Sequence, residues 1–411
     1  MSRSTRHRLG RLLNASFLTL AAHAALVPTP GLAALAEKPT VEVARKAPAV
    51  SGLDHLAEEA AKAQAAGHLV EAVGHYEAAL RLRPSWIEGR WALAMLLYDM
   101  NRYEQARGHF DALVKARPND GTALALKGLC EAMLKDEQRA VGDLRRGIRL
   151  GIASPQVKST ATFQAAILTN KLGDPEGAFE TLRQSAVDGD DRPTVIETFG
   201  LITLRLPLAP ADIPADRREM VLLAGRAGYD MARARRSANG RLAIDELASR
   251  YPAEPSVHYA RGMYLLPDDP AAAVEEFRRE LAVSPDHHVA MIQIALAELK
   301  QGHADVALPF AEKAASLAPK MPAAHVALGR ALLALGQVER AVQEMEAAAK
   351  LAPEIPRLRY SLAEAYDRAG RKDDAARERS EFVKLRGTTG EPTDAAIEGV
   401  PSLPPAGRSG E

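Results

Sequence analysis

One step recurs along most of the chain and limits the folds open to it. Pro84 and Pro118 stand 34 residues apart, and Pro285, Pro319 and Pro353 keep the same step. Between such prolines one layout returns. In "MIQIALAELKQGHADVALPFAEKAASLAP" and "HVALGRALLALGQVERAVQEMEAAAKLAP", Gly302 lies under Gly336, Ala307 under Ala341 and Ala314 under Ala348. An apolar stretch of helical period fills the first half of each unit, and a short turn follows, as in "AAGH", "DMNR", "LKQGH", "LALGQ" and "RAGR". A second helix then begins near an alanine held in register: Ala72, Ala106, Ala140, Ala178, Ala273, Ala307, Ala341 and Ala375. Self-similarity at a fixed period of this size means stacked supersecondary units, none of which can bury its apolar face alone.

The spacing has a physical reason. Small residues such as Gly329 and Ala341 let the two antiparallel helices of one unit approach closely, and Ala348 admits the first helix of the next. A larger side chain at these points costs about 1–3 kcal/mol through overpacking. Proline then ends the second helix, because its ring removes an amide donor and pushes the preceding residue out of the α region.

These units resemble tetratricopeptide repeats, helix–turn–helix modules of the same period. The resemblance is clearest over 320–353 and 87–118 and extends to 53–84, 286–319 and 354–386, where Leu362, Ala363, Tyr366, Gly370 and Ala375 fit the pattern. Over 121–152 the terminal proline gives way to Ile152, while Gly128, Ala140 and Leu144 keep register. Over 157–190 Gly173, Ala178 and Leu182 do, and over 255–285 the turn is one residue short. The resemblance implies an all-α fold: an α-solenoid of stacked repeats winding into a right-handed superhelix, with an irregular central section.

The expected organisation is a signal peptide over 1–36, a linker over 37–52, an N-terminal stack over 53–203, a proline-rich loop over 204–216, a looser helical pair over 217–252, a C-terminal stack over 253–386 and a disordered tail over 387–411. Arg3, Arg6, Arg8 and Arg11 precede the apolar run "LLNASFLTLAAHAALV", and "ALAE" at 34–37 offers a cleavage site after Ala36, so export to the periplasm or beyond is expected. The run is shorter than the roughly 20 residues that span a bilayer. No integral span is therefore expected once the signal is removed. Lys plus Arg equals Asp plus Glu at 53 each, so no overall field draws the chain to nucleic acid.

Little in the chain suggests catalysis. Cys130, the single cysteine, sits in the helical stretch "LKGLCEAMLK" and reads as a small buried side chain. His287 and His288 are adjacent, so they point about 100° apart on a helix; with His303 and His325 they form no metal-binding spacing and read as exposed residues at helix starts. "DGDD" at 188–191 lacks the downstream glutamate of a calcium loop and reads as a turn. "RRG" at 145–147 and "RARR" at 233–236 read as solvated helix faces. No phosphate-binding loop or nucleophile elbow is present, no cofactor is expected, and the repeats leave no room for an appended transferase or kinase domain.

In the family, the first helix of each repeat lines a concave groove through two positions four residues apart. Carried onto this chain, the first position is Ala57, Trp91, Ala125, Phe163, Tyr259, Ile292, Val326 and Tyr360, and the second is Ala61, Met95, Leu129, Ile167, Met263, Leu296, Arg330 and Glu364. The expected partner-binding groove therefore comprises Trp91, Met95, Tyr98, Leu129, Phe163, Ile167, Tyr259, Met263, Ile292 and Leu296. It is either exposed to a partner or filled by neighbouring repeats. With Trp91, Met95, Ala125 and Leu129 where a basic clamp for chaperone tails would sit, that clamp is disfavoured. What the resemblance implies is a noncatalytic, exported scaffold that binds a peptide or helix of a partner protein within an envelope assembly or a polysaccharide system. The alternatives are a periplasmic chaperone-like module for apolar segments in transit, and an enzyme with a site in the irregular stretch 204–240, which would call on Asp230 or Arg233.

Overall fold

The computed structural model describes residues 52–233 and 237–388. The expected signal peptide, the linker up to residue 51, the tail from 389 and positions 234–236 of the "RARR" run lie outside the described residues. Among the described residues there are nineteen α-helices, one short 3-10 turn and no strand, which makes the fold an all-α solenoid.

Two compact units divide the chain. The first contains α1 (Gly52–Ala65), α2 (Leu69–Leu82), α3 (Ile87–Asp99), α4 (Tyr103–Ala116), α5 (Gly121–Met133), α6 (Glu137–Leu150) and α7 (Pro155–Lys171), together with the 3-10 turn Pro210–Asp212. The second contains α8 (Pro175–Val187), α9 (Pro193–Thr203), α10 (Arg218–Ala232), α11 (Ala238–Arg250), α12 (Val257–Leu265), α13 (Pro270–Val283), α14 (His288–Lys300), α15 (Ala304–Leu317), α16 (Pro322–Ala334), α17 (Val338–Leu351), α18 (Pro356–Arg368) and α19 (Lys372–Thr388). The division falls after Asp174, inside the stretch 53–203 expected as one stack.

Local chemistry sets where these helices begin. Asp120 caps α5 by accepting from the Ala123 amide, Ser154 caps α7 through Val157, and Asp269 caps α13 through Ala272, each satisfying a donor the helix leaves open. Proline occupies the first turn of α7, α9, α13, α16 and α18, where its missing N–H costs nothing. The first helices end alike. The residue after the helix takes a left-handed conformation, at Gly67, Asn101 and Lys135 in the first unit and Gly302, Gly336 and Gly370 in the second, again 34 residues apart. The next amide then reaches back five residues, as Arg102 does to Leu97 and Gln337 to Leu332. This is the Schellman closure, and it fixes the reversal into the second helix.

All eight in-register alanines are completely buried. So are Ala60, Ala94 and Ala295 of the first helices. Where glycine replaces alanine the helices come nearer still: a Cβ at Gly329 would lie 3.0 Å from Met345 Cε and 3.3 Å from the Ala341 carbonyl oxygen. Leu328, Leu332, Met345 and Leu362 interlock around these small residues in the second unit, as Leu93, Phe110, Leu126 and Leu144 do in the first. Each such side chain contributes about 1.5–3 kcal/mol by leaving water.

The step fails between α8 and α12, where three helices stand in place of a whole number of pairs. α9 ends in the repeat manner, with Arg205 left-handed and the Leu206 amide bonded to Leu201. The prolines that follow delay the next helix until Arg218. α9 and α10 then meet backbone to backbone: a Cβ at Gly200 would be 2.0 Å from the Val221 carbonyl oxygen, and one at Gly225 would be 2.1 Å from that of Ile196. Phe199 bridges α8 to α10, edge-on to Phe179 at 5.6 Å and to Tyr229 at 5.8 Å.

Candidate functional site

The ten residues expected to line a groove all lie on first helices. In the first unit α3 carries Trp91, Met95 and Tyr98, α5 carries Leu129, and α7 carries Phe163 and Ile167; in the second, α12 carries Tyr259 and Met263, and α14 carries Ile292 and Leu296. Met95, Leu129, Ile167, Tyr259, Ile292 and Leu296 are buried against their neighbours. Trp91, Tyr98, Phe163 and Met263 are half-buried.

Trp91 stands edge-on to Phe110 with ring centroids 6.0 Å apart, and Tyr98 meets Tyr103 at 5.4 Å. Packing of this kind fixes a ring in one orientation while leaving part of it accessible. Burial raises the pKa of the Tyr98 hydroxyl well above the ordinary tyrosine value. Tyr259 is packed on every side: the His287 ring lies 4.8 Å away, the Phe277 ring 5.8 Å, and the Arg205 guanidinium 5.7 Å above its centroid.

Beside these rings the second unit holds an open depression of about 390 Å³ lined by Arg205, Ser256, Ser284, Pro285, Asp286, His287 and His288. His287 is not the exposed residue the sequence suggested. Its side chain is only 9% exposed, because its Nδ1 caps α14 by accepting from the Ala290 amide and its ring covers Tyr259. Burial and the nearby Arg205 charge push it down to about 4, and His288 is lowered by the same two causes. Arg205 is itself paired with Glu176. At neutral pH the depression thus offers uncharged imidazoles, one of them with its basic nitrogen already engaged.

The buried polar groups here hold the backbone together. Glu280 is fully buried and accepts from the amides of Ser256 at 2.8 Å and Tyr259 at 3.2 Å, capping α12, whose preceding residue Ser256 is left-handed. Glu276 accepts from Arg261 at 2.8 Å and lies 2.7 Å from His258 Nδ1. Asp230 accepts from the Ser237 amide at 3.0 Å and from the Tyr264 hydroxyl at 2.7 Å. Arg233, its expected companion in an irregular-region site, lies over the Tyr229 ring instead. The sequence carried a signal for Glu280: it occupies the register of Ala314 and Ala348, where a carboxylate has to be explained.

The other candidates fall into structural places. Cys130 is completely buried, and burial pushes its thiol up to about 12. Arg145 pairs with Asp174, and Arg146 donates to the Pro118 carbonyl. "DGDD" lies in the turn between α8 and α9, with Gly189 left-handed. Among the described residues no cluster of three or more His, Cys, Asp or Glu has metal-binding geometry, and no helix is long and apolar enough to cross a membrane.

No curated protein matches the chain. Among solved structures it is similar to MamA from Desulfovibrio magneticus RS-1, residues 41 to the end, at 23% identity and a TM-score of 0.37, covering 42% of this chain and 98% of that one. A double mutant of RS-1 MamA gives 24% and 0.37, covering 41% and 96%. Another MamA gives 15% and 0.36, covering 41% and 93%. Family models of the tetratricopeptide repeat match residues 92–155 and 298–354, one stretch in each compact unit. With helix pairs at the same step on either side of both stretches, the chain carries tetratricopeptide repeats.

Proposed function

We propose that the chain is an exported, noncatalytic scaffold that holds a segment of a partner protein along the faces built by its first helices. Tetratricopeptide repeats serve protein–protein contact, so the coarse part of this reading follows from the family. The finer part is supported chiefly by Trp91, a large ring oriented by Phe110 yet only half-buried. Tyr98, Phe163 and Met263 share that condition on their own first helices. Rigid aromatic and adaptable methionine side chains suit capture of an apolar segment, since they offer large area at small entropic cost.

Export rests on the basic and apolar pattern of residues 1–36. The partner class that suits it is a component of an envelope assembly or a polysaccharide system. Affinity purification of the full chain from envelope extract tests the reading. One stoichiometric partner supports it, and a spread of unfolded clients points to a chaperone-like module instead. With that partner in hand, Trp91→Ala is expected to weaken binding by about 2 kcal/mol. An unchanged affinity with a lowered unfolding midpoint would mean that Trp91 serves only the core.

A further inference from the structure

Arg330 breaks the pattern of its own register. It lies on α16 at the groove position that Met95, Leu129, Ile167, Met263 and Leu296 fill elsewhere with apolar side chains. It is only 6% exposed, and its Nε has no hydrogen-bond partner. Among the described residues no carboxylate comes within ion-pair distance of its guanidinium. The opposite charge that acts on it is Glu364, the matching residue one repeat on, while Arg357 repels it from the start of α18. Burial and Arg357 together bring Arg330 down to about 10.

A guanidinium held this way is costly. Removing an ion from water demands a partner, and without one the free protein loses stability. An apolar side chain of similar volume fits the same place, as Leu296 does one repeat earlier, so packing alone does not account for an arginine. Cations outnumber acids about Glu364: Arg330, Arg368 and Arg379 act on it, and the one neighbouring acid, Asp367, is already occupied by Arg379. Tyr360 is 41% exposed on the same helix as Arg357 and offers an apolar surface beside the charge.

We propose that the first-helix face of α16 and α18 binds an extended acidic and apolar segment of a partner protein, one of whose carboxylates pairs with Arg330. The inference rests on the scaffold reading and narrows it to one partner chemistry. An Asp or Glu side chain accepting from the guanidinium fork gives the buried charge the counter-ion that the chain itself withholds. Apolar residues flanking that acid lie against the exposed ring of Tyr360. The arrangement makes the free protein less stable than it could be and returns that stability on binding.

The test is a dodecapeptide display selection run in parallel on the full chain and on Arg330→Met, with the thermal midpoint of both proteins measured by circular dichroism. The variant should melt higher than the parent in the absence of peptide. The parent should enrich peptides with an acid at one position, and the variant should lose that enrichment. A synthetic copy of the best peptide should bind the variant about tenfold more weakly, as expected for one charge-assisted hydrogen bond. Its acid-to-amide analogue should lose as much on the parent and nothing further on the variant. Peptides enriched without an acid, or an acid preference that survives in Arg330→Met, would overturn the pairing and leave the scaffold reading standing. A selection that enriches nothing on the parent would count against both.

Discussion

From Asp286 to Arg386 the second unit keeps its 34-residue step, and its helices meet through alanine set against leucine, methionine and valine. From Asp191 to Leu265 the step is lost, and the contacts change in kind. α9 and α10 touch backbone to backbone at Gly200 and Gly225, Asp230 ties the start of α11 to Tyr264, and Glu280 holds the first amides of α12. A repeat can rely on generic small-residue packing because the next copy supplies the matching face. Where the copy is missing, position has to be specified by individual hydrogen bonds and by glycines that admit no substitute. The irregular stretch should therefore be the more sensitive to single changes.

The strongest test of that contrast is Gly200→Ala. The added methyl would stand 2.0 Å from the Val221 carbonyl oxygen and 2.8 Å from its carbon, and backbone cannot rotate away as a side chain can. A loss of about 3 kcal/mol or more is expected, read as a fall in the urea midpoint of the full chain. A midpoint equal to that of the parent would mean that α9 and α10 are not in close contact.

This contrast also explains what was legible in the sequence. Helix existence, the turns and the eight buried alanines follow from one period, because every copy repeats the same requirement. Two stretches matched by family models, 92–155 and 298–354, lie where that period is cleanest. The partnership of α9 with α10 was not legible, since the prolines from Pro207 to Pro214 separate helices that pack in space and no second copy shows the pairing. Nor was the burial of His287. A histidine at a helix start next to another histidine has the local look of a solvated residue, and only the ring of Tyr259, 28 residues earlier in the chain, removes it from water. For the groove, sequence gave which residues share the first helices. Exposure depends on how neighbouring repeats cover them, which spacing alone does not fix.

His287 lends the contrast a pH dependence. Its value lies near 4 in the folded chain against 6.5 when free, so below about pH 6.5 the unfolded chain takes up a proton that the folded one refuses. Stability should fall as the pH drops from 6.5 to 4, by about 3 kcal/mol in all. Arg205, His288, Glu280 and Asp286 surround the ring, and of these Arg205 and His288 add to the burial penalty. Denaturation midpoints across this window, compared with His287→Asn, which keeps a helix-capping acceptor, separate this group from other acid-titrating residues. A variant with the same slope as the parent would show that the loss arises elsewhere.

In the regular stretch the counterpart is Ala341→Leu. Ala341 is fully buried, and its carbonyl lies in the tight approach of α16 to α17 at Gly329. The extra carbons have side chains such as Met345 to displace, and flexible side chains yield where a carbonyl does not. The expected cost is about 2 kcal/mol, smaller than at Gly200. A larger loss here than at Gly200 would reverse the ranking and remove the distinction between generic and specified packing.

The smallest effect separates space from conformation. Gly336 has nothing within 4 Å of where a Cβ would go, so Gly336→Ala meets no steric barrier of the kind found at Gly200. What opposes it is the backbone, since φ is +74° in the closure that turns α16 into α17. Asn101 and Lys135 hold the same turn in the first unit with φ of 59° and 65°, so a side chain can be borne there. The cost should be about 1 kcal/mol, that of placing an L residue in the left-handed region. Chemical denaturation of Gly200→Ala and Gly336→Ala side by side decides the matter. If the two glycines cost the same, close backbone approach is not what distinguishes the irregular stretch.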